Sequence, residues 1–373
     1  MKLLCIGNGI FTKKTGKLLT HKHTGEFLIE LTQYFEEVIF AQGLFDRPCN
    51  ENLNDFELDS GKVEILAVRL KDKNILTKCY SYLKAIPTIL RQIRNIDCLY
   101  VFLPGNLSVL FSICAILFRK SYGVYLRGEI GVDTKLVRLI LSNADFVHAN
   151  GGFLVDKAHR FCSDVELTVP MIDLTTQDCV TRKSFKSQPP WNILYVGRIE
   201  VRKGINELIE AARILKGRNI DFKLNLVGDG PELKKLKIET PEELRENVRF
   251  LGLISDRNRL FSLYMNADLF VLPSHDEGFP RVLYEAMAFQ APIITTFAGS
   301  IGSILEHEVN CLRIDIRDTE MTALMIERAL RDVDLRQNIA HNAGETICQM
   351  LKNTNGKSHS RQVQEKLSKY AKA

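Results

Sequence analysis

The sequence predicts an α/β protein with two domains, each built on a parallel sheet. Three observations support this prediction. The chain has 373 residues, which exceeds an ordinary single core and fits two domains. Short apolar runs alternate with segments of helical spacing, which is the βαβ rhythm of a parallel sheet. Two of the predicted strand-to-helix connections, at residues 197–204 and 274–280, concentrate charged residues and glycine.

In the first half of the chain, apolar runs predict strands and periodic segments predict helices. The predicted strands are residues 2–6, 38–41, 63–70, 99–103, 124–126, 146–149 and 166–169. The predicted helices are residues 26–35, 79–93, 107–118, 135–141 and 153–161. Residues 7–16 predict a loop with glycines and lysines, and residues 42–62 predict a surface excursion without a clear period.

The second half repeats the rhythm after a polar stretch that ends in two prolines. Its predicted strands are residues 192–197, 222–227, 248–251, 269–273 and 292–296. Its predicted helices are residues 205–215, 256–266, 280–289 and 319–351. The resulting division is a first domain at 1–170, a linker at 171–190, a second domain at 191–350 and a final helix at 351–373.

Composition excludes several classes of protein. Fifty basic against forty-five acidic residues leave a net charge of +5, which does not indicate nucleic acid as a partner. The nine cysteines show no Cys-x-x-Cys pair, and they predict reduced thiols. The longest apolar run, residues 107–118, is too short to span a bilayer, and no signal peptide is evident. The expected location is therefore the cytoplasm.

Residues 274–288 carry two glutamates on a predicted loop and helix. Glu277 lies in the loop, and Glu285 lies eight positions later in the helix that Pro280 is suited to open. Carboxylates at this spacing suit hydroxyl-rich ligands such as a sugar and a ribose. The alternative is a solvated acidic loop followed by a surface glutamate.

The loop at residues 197–204 is a second candidate site. Gly197 and Gly204 allow the backbone to make tight turns. Arg198 offers a planar fork of donors and Lys203 a point charge, both close to the start of the next predicted helix. This combination predicts a diphosphate site, and the alternative is a basic surface loop.

Together these segments resemble the GT-B glycosyltransferases, specifically the large retaining group called family 4. The resemblance rests on blocks that stand in the family's order: V-G-R-I-E-V-R-K-G at 196–204, L-V-G-D-G-P-E-L at 226–233, F-L-G-L-I at 250–254, A-D-L-F-V-L-P-S at 267–274 and E-G-F-P-R-V-L-Y-E-A at 277–286. It implies two Rossmann-like βαβ domains with a cleft between them, the first for the acceptor and the second for the nucleotide sugar. It also implies that the last helix crosses back onto the first domain.

The resemblance also implies roles for single residues. Arg198 and Lys203 would neutralise the leaving diphosphate without a metal ion, and Glu277 would orient the sugar; these three are the expected catalytic residues. The expected donor-binding positions are Gly9, Gly197, Gly252, Ile254, Phe279, Pro280, Arg281, Val282 and Glu285. The implied reaction moves a sugar from a UDP- or GDP-sugar to a glycan or lipid-linked glycan with retention, without a cofactor, in cell-surface polysaccharide biosynthesis.

The acceptor side departs from the family pattern. Where family 4 enzymes often have a histidine, this sequence has Arg127 and Glu129, and His148 ends another predicted strand. These three are the candidate acceptor residues, with an ion pair at a strand end and a structural histidine as alternatives. Residues 78–94 alternate basic and apolar positions, which suits either peripheral contact with anionic lipid or an ordinary amphipathic core helix.

Two rival functions are open. One is a sugar phosphorylase or epimerase on the same fold, but a pyridoxal-type phosphorylase needs a cofactor lysine and a much longer chain. The other is a non-catalytic GT-B module that binds a nucleotide or a partner. Loss of Arg198, Lys203, Glu277 or Glu285 would favour that module, and all four residues are present.

Overall fold

The structure is a computed structural model, and its residues form two compact units. It describes residues 1–14, 17–45, 56–58, 61–70, 75–127, 134–168, 172, 174–182, 184–277, 279–353 and 357–370. The first unit comprises Met1–Asp173 and Lys357–Ala373, and the second comprises Leu174–Gly356. The structure thus groups residues 174–190, most of the predicted linker, with the second unit.

The strands and helices follow one another along the chain as the βαβ rhythm predicts. The strands are β1 (Lys2–Lys14), β2 (Lys17–Thr20), β3 (Glu37–Phe45), β4 (Phe56–Glu57), β5 (Glu64–Leu70), β6 (Cys98–Leu103), β7 (Ser121–Leu126), β8 (Phe146–Ala149), β9 (Val165–Leu167), β10 (Trp191–Val196), β11 (Phe222–Val227), β12 (Val248–Gly252), β13 (Leu269–Leu272), β14 (Ile293–Thr296) and β15 (Leu312–Ile314). The helices are α1 (Lys22–Leu31), α2 (Ile75–Asn95), α3 (Asn106–Leu117), α4 (Lys135–Ser142), α5 (Gly152–His159), α6 (Ile205–Gly217), α7 (Leu233–Glu239), α8 (Arg257–Asn266), α9 (Arg281–Ala288), α10 (Thr319–Arg331), α11 (Val333–Asn353) and α12 (His359–Tyr370).

The first unit contains a parallel sheet in the order β5-β3-β1-β6-β7-β8-β9. β2 pairs antiparallel with the last residues of β1, and β4 pairs antiparallel with β2. Alternate strand residues pack on opposite faces because side chains along a strand alternate. Leu4, Leu99 and Val124 pack under α2, α3, α4 and α5. Leu3 and Tyr100 pack under α1 and α12 on the other face.

The second unit contains a parallel sheet in the order β12-β11-β10-β13-β14-β15. Both units therefore have a Rossmann-like α/β architecture, with the first strand in the middle and the later strands added outward on either side. Three central strands of the second sheet, β10, β13 and β14, are short and almost wholly buried, as expected for parallel strands covered on both faces.

Two local predictions were wrong. Residues 7–14, predicted as a loop, continue β1, because a register shift between Ile6 and Ile10 absorbs the glycines and pairing with β3 resumes. Residues 42–45, the start of the predicted surface excursion, belong to β3, which continues to Phe45. Residues 46–55 and 59–60 of that prediction lie outside the described residues. The helical pattern predicted over 319–351 is confirmed and divides into two helices, because Asp332 ends α10 and its side chain accepts from the Leu335 backbone N–H at the start of α11.

The cysteine prediction was also wrong for one pair. Cys179 and Cys348 form a disulfide with a Cα–Cα distance of 6.0 Å. They lie 169 residues apart, so their spacing in the sequence gave no indication of the pairing. Five further cysteines are buried free thiols: Cys5, Cys98, Cys114, Cys162 and Cys311. Among the described residues, no helix combines the length and apolar character that crossing a bilayer requires.

Candidate functional site

The strand order of the second sheet reverses at β10, whose neighbours are β11 and β13. In open parallel sheets, ligands bind beyond the carboxyl ends of the strands at such a reversal point. The loops after β10 and β13 lie at this point. They carry Lys203 and Glu277, respectively.

Lys203 and Glu277 form an ion pair. The Lys203 Nζ lies 2.5 Å from Glu277 Oε1, and the Ser274 hydroxyl donates to the same oxygen at 2.9 Å. The two side chains are only 16% and 10% exposed, so the pair is mostly shielded from water. An anion that approaches this point meets a cation already held in place by its neighbours.

Backbone contacts hold the two loops against each other. The His275 N–H donates to the Arg202 carbonyl at 2.8 Å. Gly204 has a φ of +69°, and a Cβ at that position would lie 2.0 Å from the Pro273 carbonyl oxygen. Only glycine lets the backbone at position 204 come this close to the Pro273 carbonyl, and this contact sets the distance between the two loops.

Two helices begin at this edge of the sheet without a capping side chain. α6 follows Gly204 and α9 follows Pro280, and neither residue offers a side-chain hydrogen bond to the first turn. Helix N-termini present backbone N–H groups and a positive dipole end. Together with Lys203 they create an electropositive position suited to a phosphate group.

Arg198 lies in the same loop but is held differently. Its Nε lies 3.5 Å from Glu200 Oε2, and Arg202 Nε donates to the other oxygen of Glu200 at 3.0 Å. The fully buried Tyr195 donates its hydroxyl to the Arg198 carbonyl at 3.0 Å and so anchors the backbone. Burial, and then the charges of Glu277 and Glu200, hold the pKa of Tyr195 well above its ordinary value, so it stays a neutral donor.

Glu285 projects from α9 and is oriented by α8. The hydroxyl of the fully buried Tyr264 donates to Glu285 Oε2 at 2.8 Å. Burial and the Glu285 charge raise the pKa of Tyr264, which keeps the hydroxyl protonated. One oxygen of Glu285 is therefore fixed by the protein.

The remaining predicted donor residues line the same edge. Phe279 is 5% exposed and its ring centre lies 4.4 Å from that of Tyr284, which supports the backbone before Pro280. Arg281 and Val282 form the first turn of α9 and are partly exposed.

Gly197 and Gly252 lie on either side of Gly228. A Cβ on Gly228 would lie 1.8 Å from the Gly197 carbonyl oxygen, and the Gly228 N–H donates to the Gly252 carbonyl at 2.8 Å. Ile254, 9% exposed, follows this junction.

Sequence reasoning missed three supporting contacts. The helix that contains Tyr264 was predicted, but no role was predicted for Tyr264 itself. The available signal was a tyrosine on the buried face of that helix, where its hydroxyl needs a hydrogen-bond partner. Gly228 stood in the Gly-Asp-Gly block but was not assigned. His275 Nε2 lies 3.0 Å from Glu207 Oε1, at ion-pair distance but outside hydrogen-bond geometry, and links the Glu277 loop to the first turn of α6.

The candidate residues of the first unit are scattered. Gly9 lies within β1, and Arg127 follows β7 with its guanidinium over the rings of Phe102 and Tyr125. Glu129 lies outside the described residues.

His148 lies in the core of the first unit. Its side chain has no exposed surface, and its Nδ1 lies 3.0 Å from the Tyr100 hydroxyl. A group without accessible surface cannot touch an acceptor directly, so this position favours the structural alternative for His148.

The second unit matches a known family. Residues 179–346 match the family model "Glycosyl transferases group 1". The match covers the ion pair, both uncapped helices and Glu285.

The chain is also similar to relatives of known name. The capsular polysaccharide biosynthesis glycosyltransferase CapM of Staphylococcus aureus is 32% identical over 164 residues, which are 41% of this chain and 40% of CapM. The chain thus aligns with less than half the length of that relative. N-acetyl-alpha-D-glucosaminyl L-malate synthase of Bacillus anthracis is 26% identical over 70% of this chain and 72% of its own.

Solved structures match both units. HepE of Anabaena, crystallised with UDP, superposes with a TM-score of 0.68 at 18% identity and covers 99% of this chain and 100% of its own. Sucrose-phosphate synthase of Thermosynechococcus elongatus gives a TM-score of 0.64 at 17% identity over 100% and 98% of the two chains. The chain has the GT-B fold that the resemblance implied.

Proposed function

We propose that this chain is a glycosyltransferase that moves a sugar from a nucleotide-diphosphate sugar to a glycan or lipid-linked glycan. The observation that carries the proposal is the Lys203–Glu277 pair beside the N-termini of α6 and α9. In this proposal Lys203, Arg198 and the helix N-termini neutralise the charge that develops on the leaving diphosphate. Glu277 orients the sugar, and Glu285 accepts from the ribose hydroxyls.

Several finer features belong to the same proposal. The donor is a UDP- or GDP-sugar, and a uridine nucleotide is supported by the UDP bound to HepE. A role in cell-surface polysaccharide biosynthesis is supported by the name of CapM. Retention of the anomeric configuration, independence of metal ions and assignment to family 4 rest on the resemblance of the motifs. We place the reaction in the cytoplasm, with peripheral contact at the inner face of the membrane.

The experiment is a thermal-shift comparison of UDP, GDP, ADP and TDP with their common sugar conjugates. At a hundredfold excess over the dissociation constant, one nucleotide should stabilise the protein by about 2.7 kcal/mol. Lys203→Ala and Glu285→Ala should lose this stabilisation. Lys234→Ala is the matched control, because Lys234 is an exposed lysine of α7.

The outcomes separate the candidate functions. Stabilisation by one nucleotide, together with slow hydrolysis of its sugar conjugate, supports the transferase. Stabilisation without any turnover favours the non-catalytic module. The absence of stabilisation by every nucleotide at millimolar concentration, with folded protein, overturns the donor site.

A further inference from the structure

One helical layer of the first unit has a marked excess of positive charge. Helices α2, α3, α4 and α5, which cover the same face of the sheet, together contain seven lysines and arginines but a single acidic residue, Asp156. The opposite layer, formed by α1 and α12, mixes both signs and pairs them, as in Lys22 with Glu26 and Arg361 with Glu365. We call the outward surface of α2–α5 the basic layer.

The basic layer also exposes large apolar side chains. Eight such residues are exposed in the described part of the first unit, and six of them lie on this layer: Tyr80, Leu83, Leu117, Leu136, Leu139 and Phe153. Leu83 and Leu117 are 63% and 73% exposed. Single exposed apolar residues are ordinary, but their concentration on one face marks an interaction surface.

Three positive charges of this layer are available to a partner. Lys84, Arg91 and Lys135 are exposed and form no ion pair with any residue that the structure describes. Lys84 instead lies with its Nζ 5.0 Å from the centre of the Tyr80 ring. Cationic and apolar groups are therefore interspersed on one broad surface and are not sorted into separate patches.

We infer that the basic layer docks on an anionic lipid surface. Phosphate headgroups complement Lys84, Arg91 and Lys135, and the apolar side chains insert at the boundary between headgroups and acyl chains. A lipid surface fits because the exposed residues are spread over four neighbouring helices. The inference extends the proposed function, because docking would bring the enzyme to a lipid-linked acceptor, and it identifies a surface broader than the single helix indicated by sequence.

The test is flotation of the full chain with vesicles, without nucleotide or acceptor. Wild-type protein should bind vesicles of phosphatidylcholine mixed with phosphatidylglycerol and should not bind phosphatidylcholine alone. The triple variant Lys84→Glu, Arg91→Glu and Lys135→Glu should lose roughly a hundredfold in partition, at about fivefold for each basic residue. The matched control, Lys216→Glu, Lys234→Glu and Arg249→Glu, changes the net charge equally at exposed positions of the second unit and should bind like wild type.

A second variant tests the apolar contribution. Leu83→Ser with Leu117→Ser should weaken binding about tenfold, and the loss should persist at high salt where the electrostatic attraction is screened. Equal loss in the control triple variant, or no binding by wild type, overturns the proposal. A wild-type dimer that the basic-layer variant converts to a monomer overturns it in favour of a protein interface. Because no nucleotide is present, failure here leaves the donor-site test unaffected.

Discussion

Lys203 Nζ lies 2.5 Å from Glu277 Oε1, although the two residues are 74 positions apart. Each comes from a loop that follows a strand of the same sheet, and β10 and β13 are direct neighbours. The pair therefore holds a cation and a carboxylate at one point beside two helix N-termini. If the site binds a diphosphate, Lys203 must exchange part of its contact with Glu277 for a phosphate oxygen.

This exchange predicts different effects for the two partners. Glu277→Gln removes a negative charge from the diphosphate position, so we expect UDP to bind it at least as tightly as wild type while turnover falls. Lys203→Gln removes the cation, and UDP affinity should fall about tenfold or more. Isothermal titration with UDP and hydrolysis of a UDP-sugar measure the two effects. An equal loss of UDP affinity in both variants would mean that the pair is only structural.

Tyr264→Phe should weaken nucleotide binding without contact to the nucleotide. The substitution keeps the ring but removes the hydroxyl that donates to Glu285 at 2.8 Å, so the carboxylate loses its fixed orientation. We expect about a tenfold loss of UDP affinity and a stability loss of about 1 kcal/mol. Titration calorimetry and urea denaturation measure them.

The matched control is Tyr122→Phe. Tyr122 is a buried tyrosine of the first unit whose hydroxyl donates to the Ile140 carbonyl at 2.5 Å. It should lose comparable stability and bind UDP like wild type. Unchanged UDP affinity in Tyr264→Phe would contradict the orienting role.

Five of the six strands described in the second unit followed from its sequence, because short apolar runs bounded by polar turns specify buried parallel strands, whereas β15 was not predicted. The loops at 197–204 and 274–280 were predicted as candidate sites for the same reason, since each interrupts such a rhythm with charges. The contact between Lys203 and Glu277 was not predictable, because it depends on the strand order. β10 lies between β11, the next strand in the sequence, and β13, which comes much later.

In the first unit, the burial of His148 and the length of β1 depend on contacts between residues that are far apart in the sequence. His148 ends a strand like a site residue, yet the Tyr100 hydroxyl lies within hydrogen-bond distance of both His148 and His359, the latter 259 positions away on α12. The continuation of β1 beyond Ile6 likewise depends on renewed pairing with β3. Local periodicity carries no information about either partner.

Gly204→Ala should destabilise the second unit and displace the Lys203 loop. The backbone there has a φ of +69°, and the added Cβ would lie 2.0 Å from the Pro273 carbonyl oxygen. The left-handed conformation alone costs about 1–2 kcal/mol, and the clash adds to it. Gly217→Ala, at the end of the same helix α6, meets no atom within 4 Å and should be neutral or stabilising. Denaturant unfolding of both variants checks the contrast, and similar stabilities would refute the close packing of Gly204 on Pro273.

His148 should make the first unit less stable in mild acid. Burial first, and then the charges of His359 and Lys366, hold the pKa of His148 well below its ordinary value in the folded state. The half-exposed Glu166 carboxylate, 3.9 Å from Nε2, does not offset this, and the Tyr100 hydroxyl beside Nδ1 is neutral. Below a pH of about 6.5 the unfolded chain therefore binds a proton that the folded chain does not.

The sign follows from this difference in bound protons. Stability contributed by neutral His148 is complete above the unfolded pKa and falls as the pH drops below it, by up to about 1.4 kcal/mol per pH unit until the folded pKa is reached. Urea denaturation of wild type and His148→Gln between neutral pH and mild acid measures the two slopes. His148→Gln is less stable at neutral pH, because it disturbs the Tyr100 contact, but its stability should fall less steeply with acid. Parallel slopes for the two proteins would show that His148 is protonated equally in both states.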